Sequence, residues 1–285
     1  MLTGIEIGTH EYIEANGIRF HYITEGTGPL ILLLHGFPEN HYAWRYQMSA
    51  LSKNHKVVAP DLRGYHLTDH QGPYDIKTLC KDIFELIHNL GYDKAIIVGH
   101  DWGSLITWSF AIDHPDCCEK LISLNVPYFP RGPKPLHELL TDERFNYMRD
   151  FQNRGEAEAI IEADIDEFIK KIFENYSARK NFMSEADLKF FADALRGSGN
   201  ITPPLEYYRH LKLNWELTEN HLGKKIKTPT LMIVADQDPL LTPEMSLGIQ
   251  KHVLDVTIKH IDCGHWTQQE APDETNTLIL EFLNE

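Results

Sequence analysis

Short apolar runs recur along the chain, and they constrain its fold more than any other feature of the sequence. The first, LILLL at residues 30–34, follows a Gly-Thr-Gly-Pro break. An all-apolar run bounded by turn residues is typical of a strand that is buried on both faces. Comparable runs predict further strands at residues 56–59, 95–98, 121–124, 231–235 and 256–261.

Amphipathic segments separate most of these runs, such as residues 77–90, whose leucines and isoleucines recur at helical spacing. Strands that alternate with helices predict an α/β fold with a mainly parallel sheet flanked by helices. A hairpin is predicted ahead of them at residues 10–25, because Asn16 and Gly17 supply the positive φ values that a tight turn needs.

A helical insertion interrupts this alternation between about residue 128 and residue 226. Apolar residues keep helical spacing over 157–176, and a Ser-x-x-Asp start signal opens a second helix at 184–196. An insertion between two strands packs most simply as a lid over the carboxyl edge of the sheet, where open α/β sheets bind ligands. We therefore predict three parts: core residues 1–130, a helical cap at 131–217, and core residues 218–285.

The charge balance argues against several classes of partner. The chain has 42 acidic and 27 basic residues, a net charge of −15 at pH 7. Such a surface repels nucleic acid and anionic lipid, so we expect neither as a partner. The N-terminal residues do not follow the signal-peptide pattern, and the four cysteines follow neither a disulfide nor a zinc pattern. We expect a cytoplasmic monomer or homodimer with free thiols.

The segment GHDWG at residues 99–103 directly follows the predicted strand 95–98. A reactive side chain between small residues marks the strained strand-to-helix turn of many hydrolases, where it is usually a serine. Here the central residue is Asp101. The N–H groups that open the following helix favour negative charge, so this carboxylate can attack carbon directly. The alternative is that Asp101 only caps that helix.

Three further segments lie where other predicted strands end. After the first strand, the backbone N–H of Phe37 can point at the same spot as that of Trp102, which would make an oxyanion hole. After the last strand, His265 is well placed for a general base. Asp236 and Asp238 follow the strand before it, and either can orient a histidine. The order nucleophile, acid, histidine is the one that hydrolases of this architecture use.

Together these segments resemble the epoxide hydrolases of the α/β-hydrolase fold, of the soluble type. The resemblance spans nearly the whole chain and rests on FHYITEGTGPLILLLHGFPENHYAWRYQ (20–47), GHDWGS (99–104), SLNVPYFP (123–130), PPLEYYR (203–209) and DCGHWTQQEAP (262–272). It implies that Asp101 is the nucleophile and His265 the base. It also implies that Asp238, rather than Asp236, is the acid that orients the base.

The resemblance further implies the reaction. Two cap tyrosines, Tyr147 and Tyr208, would donate hydrogen bonds to the epoxide oxygen while Asp101 attacks a ring carbon to form an ester. Water activated by His265 would then hydrolyse the ester and release a vicinal diol. No cofactor and no metal is expected, and the partner is a small-molecule epoxide.

Three positions depart from the family pattern. His66 stands in DLRGYHLT (61–68) where the family often has glycine, so the backbone or packing of that loop is expected to differ. Pro203 stands where glycine is more common. Asn125 lies where some relatives place the catalytic acid, and because an amide cannot fill that role, it favours Asp238.

A haloalkane or haloacetate dehalogenase with the same triad is the main alternative. Its halide needs side-chain N–H donors; Trp102 could supply one, but Phe37 cannot supply the other. Haloacetate enzymes of this fold also carry arginine where this chain has Trp102. A non-catalytic ligand-binding relative is less favoured because no triad member is missing, and a serine esterase because Ser104 lies past the turn.

Overall fold

An eight-stranded sheet forms the centre of the computed structural model, which describes residues 7–128, 141–197 and 199–285. Its strands are β1 (Thr9–Ala15), β2 (Ile18–Glu25), β3 (Leu30–Leu34), β4 (Lys56–Pro60), β5 (Ala95–His100), β6 (Cys118–Leu124), β7 (Thr230–Ala235) and β8 (Val256–Ile261). They lie in the order β1-β2-β4-β3-β5-β6-β7-β8. Strand β2 runs antiparallel to β1 and β4, and the other neighbours are parallel. The predicted α/β fold with a mainly parallel sheet is confirmed.

Helices connect the strands and form the insertion. They are α1 (Arg45–Leu51), α2 (Ile76–Asn89), α3 (Trp102–Asp113), α4 (Asn146–Asp150), α5 (Glu156–Ala163), α6 (Ile165–Asn175), α7 (Glu185–Leu195), α8 (Thr202–Arg209), α9 (Leu211–Leu217), α10 (Thr267–Glu270) and α11 (Pro272–Leu283). None of the helices in the described ranges is long and apolar enough to cross a membrane.

The sequence accounts for the central strands and for the first turn. Every side chain of β3 is buried, because β3 lies between β4 and β5 in the middle of the sheet. The hairpin of β1 and β2 turns at Asn16 and Gly17, whose φ angles are 46° and 78°. Both angles are positive, as the two-residue turn requires.

The cap helices α4 to α9 lie between β6 and β7 in the chain. The helical spacing over 157–176 does not continue as one helix, because the chain breaks at Asp164, where φ is −156° and ψ is 83°. The Asp164 carboxylate instead accepts a hydrogen bond from the N–H of Glu167 and caps α6. The start signal at Ser184 is confirmed, with a reciprocal capping box to Asp187. The predicted boundary at 130/131 lies outside the described residues.

The parallel strands bring their carboxyl ends to one edge of the sheet. The loop after β3 holds Phe37, the turn after β5 holds Asp101, and the segments after β7 and β8 hold Asp238 and His265. These four residues are far apart in the chain, and the parallel sheet brings the segments that carry them to the same edge.

Candidate active site

Asp101 lies on a tight turn between β5 and α3, with φ of 52° and ψ of −119°. Residues other than glycine rarely adopt a positive φ, and such strain is concentrated at functional sites. The glycines on either side allow the turn to close. A Cβ on Gly103 would lie 2.0 Å from the carbonyl oxygen of Leu34, and one on Gly99 would lie 2.4 Å from that of Gly103. The Asp101 side chain makes no capping hydrogen bond to α3, contrary to the capping alternative.

The loop after β3 lies directly against this carboxylate. The backbone N–H of Phe37 donates a hydrogen bond to Oδ1 of Asp101 at 2.8 Å. A Cβ on Gly36 would lie 2.3 Å from that same oxygen, so only glycine lets the loop approach so closely. The N–H groups of Phe37 and Trp102 both favour the charged form of Asp101. Two backbone donors therefore converge on one carboxyl group.

His265 lies beside Asp101 and is oriented by Asp238. Its Nδ1 is 2.8 Å from Oδ2 of Asp238, and its Nε2 is 3.8 Å from Oδ2 of Asp101. Asp236, the other candidate acid, pairs with His260 at the surface. The geometry therefore puts Asp238, and not Asp236, behind the histidine.

Burial and charge act together on the pKa values of this group. Burial disfavours the imidazolium of His265, but the neighbouring carboxylates of Asp238 and Asp101 outweigh burial and raise its pKa to about 9. Burial raises the pKa of Asp101, partly offset by His265 and by the two backbone N–H groups. The pKa of Asp238 is lowered, because His265 outweighs the effect of burial. The free protein thus favours a charged histidine between two carboxylates.

A pocket opens over Asp101 and His265, between the sheet edge and the cap. It is lined by Phe37, Asp101, Tyr147, Ile172, Tyr176, Tyr208, Leu240, His265 and Trp266. Both predicted cap tyrosines are in this set, from α4 and α8, with ring centroids 5.7 Å apart. Burial raises the pKa of both phenols well above the usual value, so both are neutral hydrogen-bond donors. Apart from the titratable groups, the lining is apolar.

Tyr207, the neighbour of Tyr208, points elsewhere. Its hydroxyl donates to the backbone oxygen of Arg63 at 2.8 Å, and its ring packs against Tyr65 and Tyr74. Tyr207 is therefore part of the contact between cap and core, while Tyr208 faces the pocket.

Several residues support the site through contacts that the sequence did not predict. Asn125 donates to Oδ2 of Asp238 at 2.7 Å and to the backbone oxygen of His265 at 3.1 Å. His100 contacts the same backbone oxygen at 2.7 Å through Nε2, and its Nδ1 is 2.8 Å from the buried Glu39. Glu39 and His100 lie inside the HGFPE and GHDWG motifs, so a second polar residue within each motif was the available signal.

Glu270 also supports the site, from the segment just after His265. Its carboxylate accepts N–H groups from Gly264 and Trp266, which flank the histidine, at 3.0 and 3.1 Å. It also accepts those of Ala178 and Arg179 in the cap, both at 2.9 Å. One buried carboxylate thus holds the histidine loop to the cap.

Known proteins resemble this chain along its length. The family model of the alpha/beta hydrolase fold matches residues 29–272. The bifunctional epoxide hydrolase 2 of Sus scrofa is 32% identical over 308 residues, covering 96% of this chain and 55% of that protein. Epoxide hydrolase 3 of Siraitia grosvenorii is 34% identical, covering 96% of this chain and 98% of that protein. The crystal structure of an epoxide hydrolase from Vigna radiata matches with a TM-score of 0.90 at 33% identity and 99% coverage of both chains. This chain spans about half the length of the mammalian bifunctional relatives that it matches.

Proposed function

The chain belongs to the α/β-hydrolase fold family and groups there with the epoxide hydrolases, and on that premise we propose that it converts epoxides to vicinal diols through a covalent aspartyl ester. One observation carries the proposal. A carboxylate on a strained turn, a histidine beside it and two neutral phenols line the same pocket. The phenols suit an oxygen leaving group, and the carboxylate suits attack on saturated carbon.

In the first step, Tyr147 and Tyr208 donate hydrogen bonds to the epoxide oxygen. A carboxylate oxygen of Asp101 attacks one ring carbon, the carbon–oxygen bond of the ring breaks, and a hydroxyalkyl ester forms. The oxygen that leaves the carbon takes up a proton from the phenol pair. Because both phenol pKa values lie well above the usual range, the protons stay on the tyrosines until negative charge develops on this oxygen.

In the second step, water hydrolyses the ester. Esterification removes the negative charge of Asp101, and that charge is one of the factors that raise the pKa of His265. The pKa of His265 therefore falls in the intermediate, and the neutral imidazole can take a proton from water. The proton that His265 loses when its pKa falls returns to the phenol pair, which had protonated the ring oxygen. The hydroxide attacks the carbonyl carbon of Asp101, and the N–H groups of Phe37 and Trp102 stabilise the oxyanion. The acyl carbon–oxygen bond of the ester then breaks, the departing alkoxide takes the proton of the new Asp101 carboxyl group, and the diol leaves with the carboxylate and the charged His265 restored.

The dehalogenase alternative is not favoured. The relatives reported above are epoxide hydrolases, and phenol donors serve an epoxide oxygen that becomes a hydroxyl group. A halide leaves without needing a proton, so two phenols aimed at it would have no such role. The apolar lining of Phe37, Ile172, Leu240 and Trp266 supports an apolar epoxide as the substrate.

We also propose the domain limits 1–130, 131–217 and 218–285, in which the second part is a cap that closes the pocket. Helices α4 and α8, which carry Tyr147 and Tyr208, support this division. A cytoplasmic location and a monomeric or homodimeric state belong to the same proposal. All four cysteines are free, which supports a reducing compartment.

The variant His265→Gln tests the two-step scheme. With styrene oxide, the ester should form and then persist, because the base for its hydrolysis is gone. Mass spectrometry of proteolytic peptides should find the mass of the substrate added to the peptide that contains Asp101.

The variant Asp236→Asn is a matched control. Asp236 pairs with His260 at the surface and does not contact His265, so this variant should leave diol formation intact. Absence of an adduct in His265→Gln would contradict the scheme. Release of halide from chlorinated alkanes by a protein that makes no diol would favour the dehalogenase instead.

A further inference from the structure

Four side chains outside the pocket have their metal-ligating atoms within 4.8 Å of one another: His21, His41, Asp61 and His66, here named the histidine cluster. It is the one such group among residues 7–128, 141–197 and 199–285. None of its members lines the pocket or takes part in the proposed reaction. We propose that the histidine cluster binds a divalent transition-metal ion, with Zn²⁺ as the best fit, as a structural site.

The members of the cluster come from separate segments that the sheet brings together. His21 lies in β2 and Asp61 directly follows β4, its antiparallel neighbour. The backbone N–H of Asp61 donates to the oxygen of His21 at 3.0 Å, which holds the two residues side by side. His41 opens a short 3-10 helix after β3, and His66 lies in the loop after β4.

The imidazoles surround a single carboxylate that solvent does not reach. Oδ2 of Asp61 is 2.7 Å from Nδ1 of His21 and 3.1 Å from Nδ1 of His66, and Oδ1 is 2.7 Å from Nδ1 of His41. A tetrahedral zinc site with three histidines and one carboxylate has ligand atoms roughly 3.3 Å apart, from bond lengths of about 2.0–2.1 Å. The imidazole nitrogens would need to move away from Asp61 by a few tenths of an ångström, and the ligand atoms that now lie up to 4.8 Å apart would need to approach one another by up to about 1.5 Å.

Hydrogen bonding alone does not fully account for the arrangement. Besides the three imidazoles, the N–H of His41 lies 3.0 Å from Oδ1 of Asp61, and the N–H of Leu67 lies 3.3 Å from Oδ2. Five nitrogens thus face a carboxylate that offers about four lone-pair sites. A cation at the centre would bond to the lone pairs of the imidazoles and leave the backbone donors to the carboxylate.

A second layer of contacts orients these ligands, as in known metal sites. Nε2 of His21, which points away from Asp61, is 2.8 Å from Nδ1 of His10. Phe190 of cap helix α7 packs its ring edge against His41 and His66, with centroids 5.8 and 5.7 Å away. The side chain of His66 is 20% exposed, which leaves a route for an ion to enter.

The backbone conformation of His66 is unusual for a histidine in a loop. Its φ is 46°, a left-handed conformation that favours glycine. A histidine at this position strains the backbone, and its imidazole would supply the fourth ligand of the proposed site. With the ion bound, the loop 61–68 would be tied to β2 and to the segment that follows Phe37.

Metal content and thermal unfolding of the full chain test the proposal. After treatment with EDTA and dialysis, the protein is mixed with one equivalent of ZnCl2 and passed over a desalting column. The wild type should retain one zinc per chain, and its Tm should rise by several degrees, because an ion that binds only the folded state stabilises it. Co²⁺ in place of zinc should show the visible absorption of a tetrahedral site.

The variant His66→Gly should retain little zinc and lose the shift in Tm. Glycine adopts the positive φ of this position without strain, so the variant should fold, and circular dichroism in EDTA checks that it does. His260→Gln removes an imidazole from an exposed carboxylate pair and should bind zinc like the wild type. The proposal fails if the wild type retains no zinc, if His66→Gly retains as much as the wild type, or if His265→Gln abolishes the binding that His66→Gly leaves intact.

Discussion

Two adjacent tyrosines of α8, Tyr207 and Tyr208, show how far function depends on the surroundings of one hydroxyl group. Both rings are buried, at 0% and 3% exposure. The hydroxyl of Tyr207 is bonded to the backbone of Arg63, whereas Tyr208 lines the pocket with Asp101 and Tyr147. In the proposed reaction, only a donor that faces the pocket stabilises the charge that develops on the epoxide oxygen.

Tyr208→Phe should therefore slow formation of the ester by about 10- to 100-fold, roughly 1.4–2.7 kcal/mol, because one of two donors is lost. The decay of the ester should change little, since the phenols do not act on the carbonyl carbon. Single-turnover measurements with rapid quenching separate the two rates.

Tyr207→Phe is the matched control for that experiment. It removes one hydrogen bond between cap and core, so it should cost about 1 kcal/mol of stability and leave the rate of ester formation within a few-fold of the wild type. Equal losses of rate in the two variants would mean that Tyr208 acts through packing and not through its hydroxyl.

At the scale of elements, β5, its turn and α3 act as one unit that presents Asp101. The turn is tight because α3 begins at Trp102, directly after Asp101, and packs its first residues against the end of β3. The positive φ of Asp101 is maintained only while this packing holds, since an isolated aspartate avoids that conformation. Small residues at the contact are what allow it.

Gly103→Ala should disrupt this unit. The new Cβ would lie 2.0 Å from the backbone oxygen of Leu34, and the backbones of α3 and β3, which carry these two atoms, cannot shift apart cheaply. We expect a loss of at least about 3 kcal/mol in the free energy of unfolding, measured in urea, together with the loss of diol formation.

Gly155→Ala separates this clash from ordinary backbone strain. Gly155 has a φ of 82°, but a Cβ there would meet nothing within 4 Å. Its replacement should cost only about 1 kcal/mol. If the two variants were equally stable, the close approach at Gly103 would not be a constraint on the turn.

At the scale of the whole molecule, the cap and the core share the residues that hold the active site together. The carboxylate of Glu270 binds the N–H groups on both sides of His265 and those of Ala178 and Arg179 after α6. The backbone N–H of His265 also donates to the oxygen of Tyr176 in the cap at 2.7 Å. The position of His265, the base of the proposed reaction, therefore depends on contacts with the cap.

Glu270→Gln should weaken the hydrogen bonds to the loop that carries His265 and those to Ala178 and Arg179 in the cap. A neutral amide accepts with one oxygen only and turns its NH2 group toward N–H donors, so a loss of about 1.5–3 kcal/mol in stability is expected. Hydrolysis of the ester should also slow, because the loop that carries His265 is less firmly held. Urea unfolding and single-turnover decay of the ester measure the two effects.

Glu274→Gln provides the comparison, since Glu274 forms an exposed ion pair with the same cap residue, Arg179. Exposed pairs contribute little, so its stability should stay within about 1 kcal/mol of the wild type. A Glu270→Gln variant with unchanged stability and unchanged ester decay would show that the cap does not position the base.

Much of the fold could be predicted from short stretches of the sequence. The predicted strand at 256–261 matches β8 residue for residue, because the β propensity of valine, threonine and isoleucine acts over a few neighbours along the chain. The break at Asp164 was missed, since spacing alone does not reveal where an aspartate will cap a new helix. Glu270 was missed because its role depends on N–H groups from two segments that are far apart in the chain.

The sequence by itself determined the family, the mainly parallel sheet and the strained turn at Asp101, because these follow from short-range sterics and from the burial of apolar runs. The sequence indicated Asp238 and Tyr208 only through the family resemblance, and the tertiary structure places Asp238 behind His265 and Tyr208 in the pocket. Only the tertiary structure brought His21, His41, Asp61 and His66 together. The physical reason is that each of these contacts joins residues distant in the chain, and residue type does not specify the packing of sheet and cap that makes them neighbours.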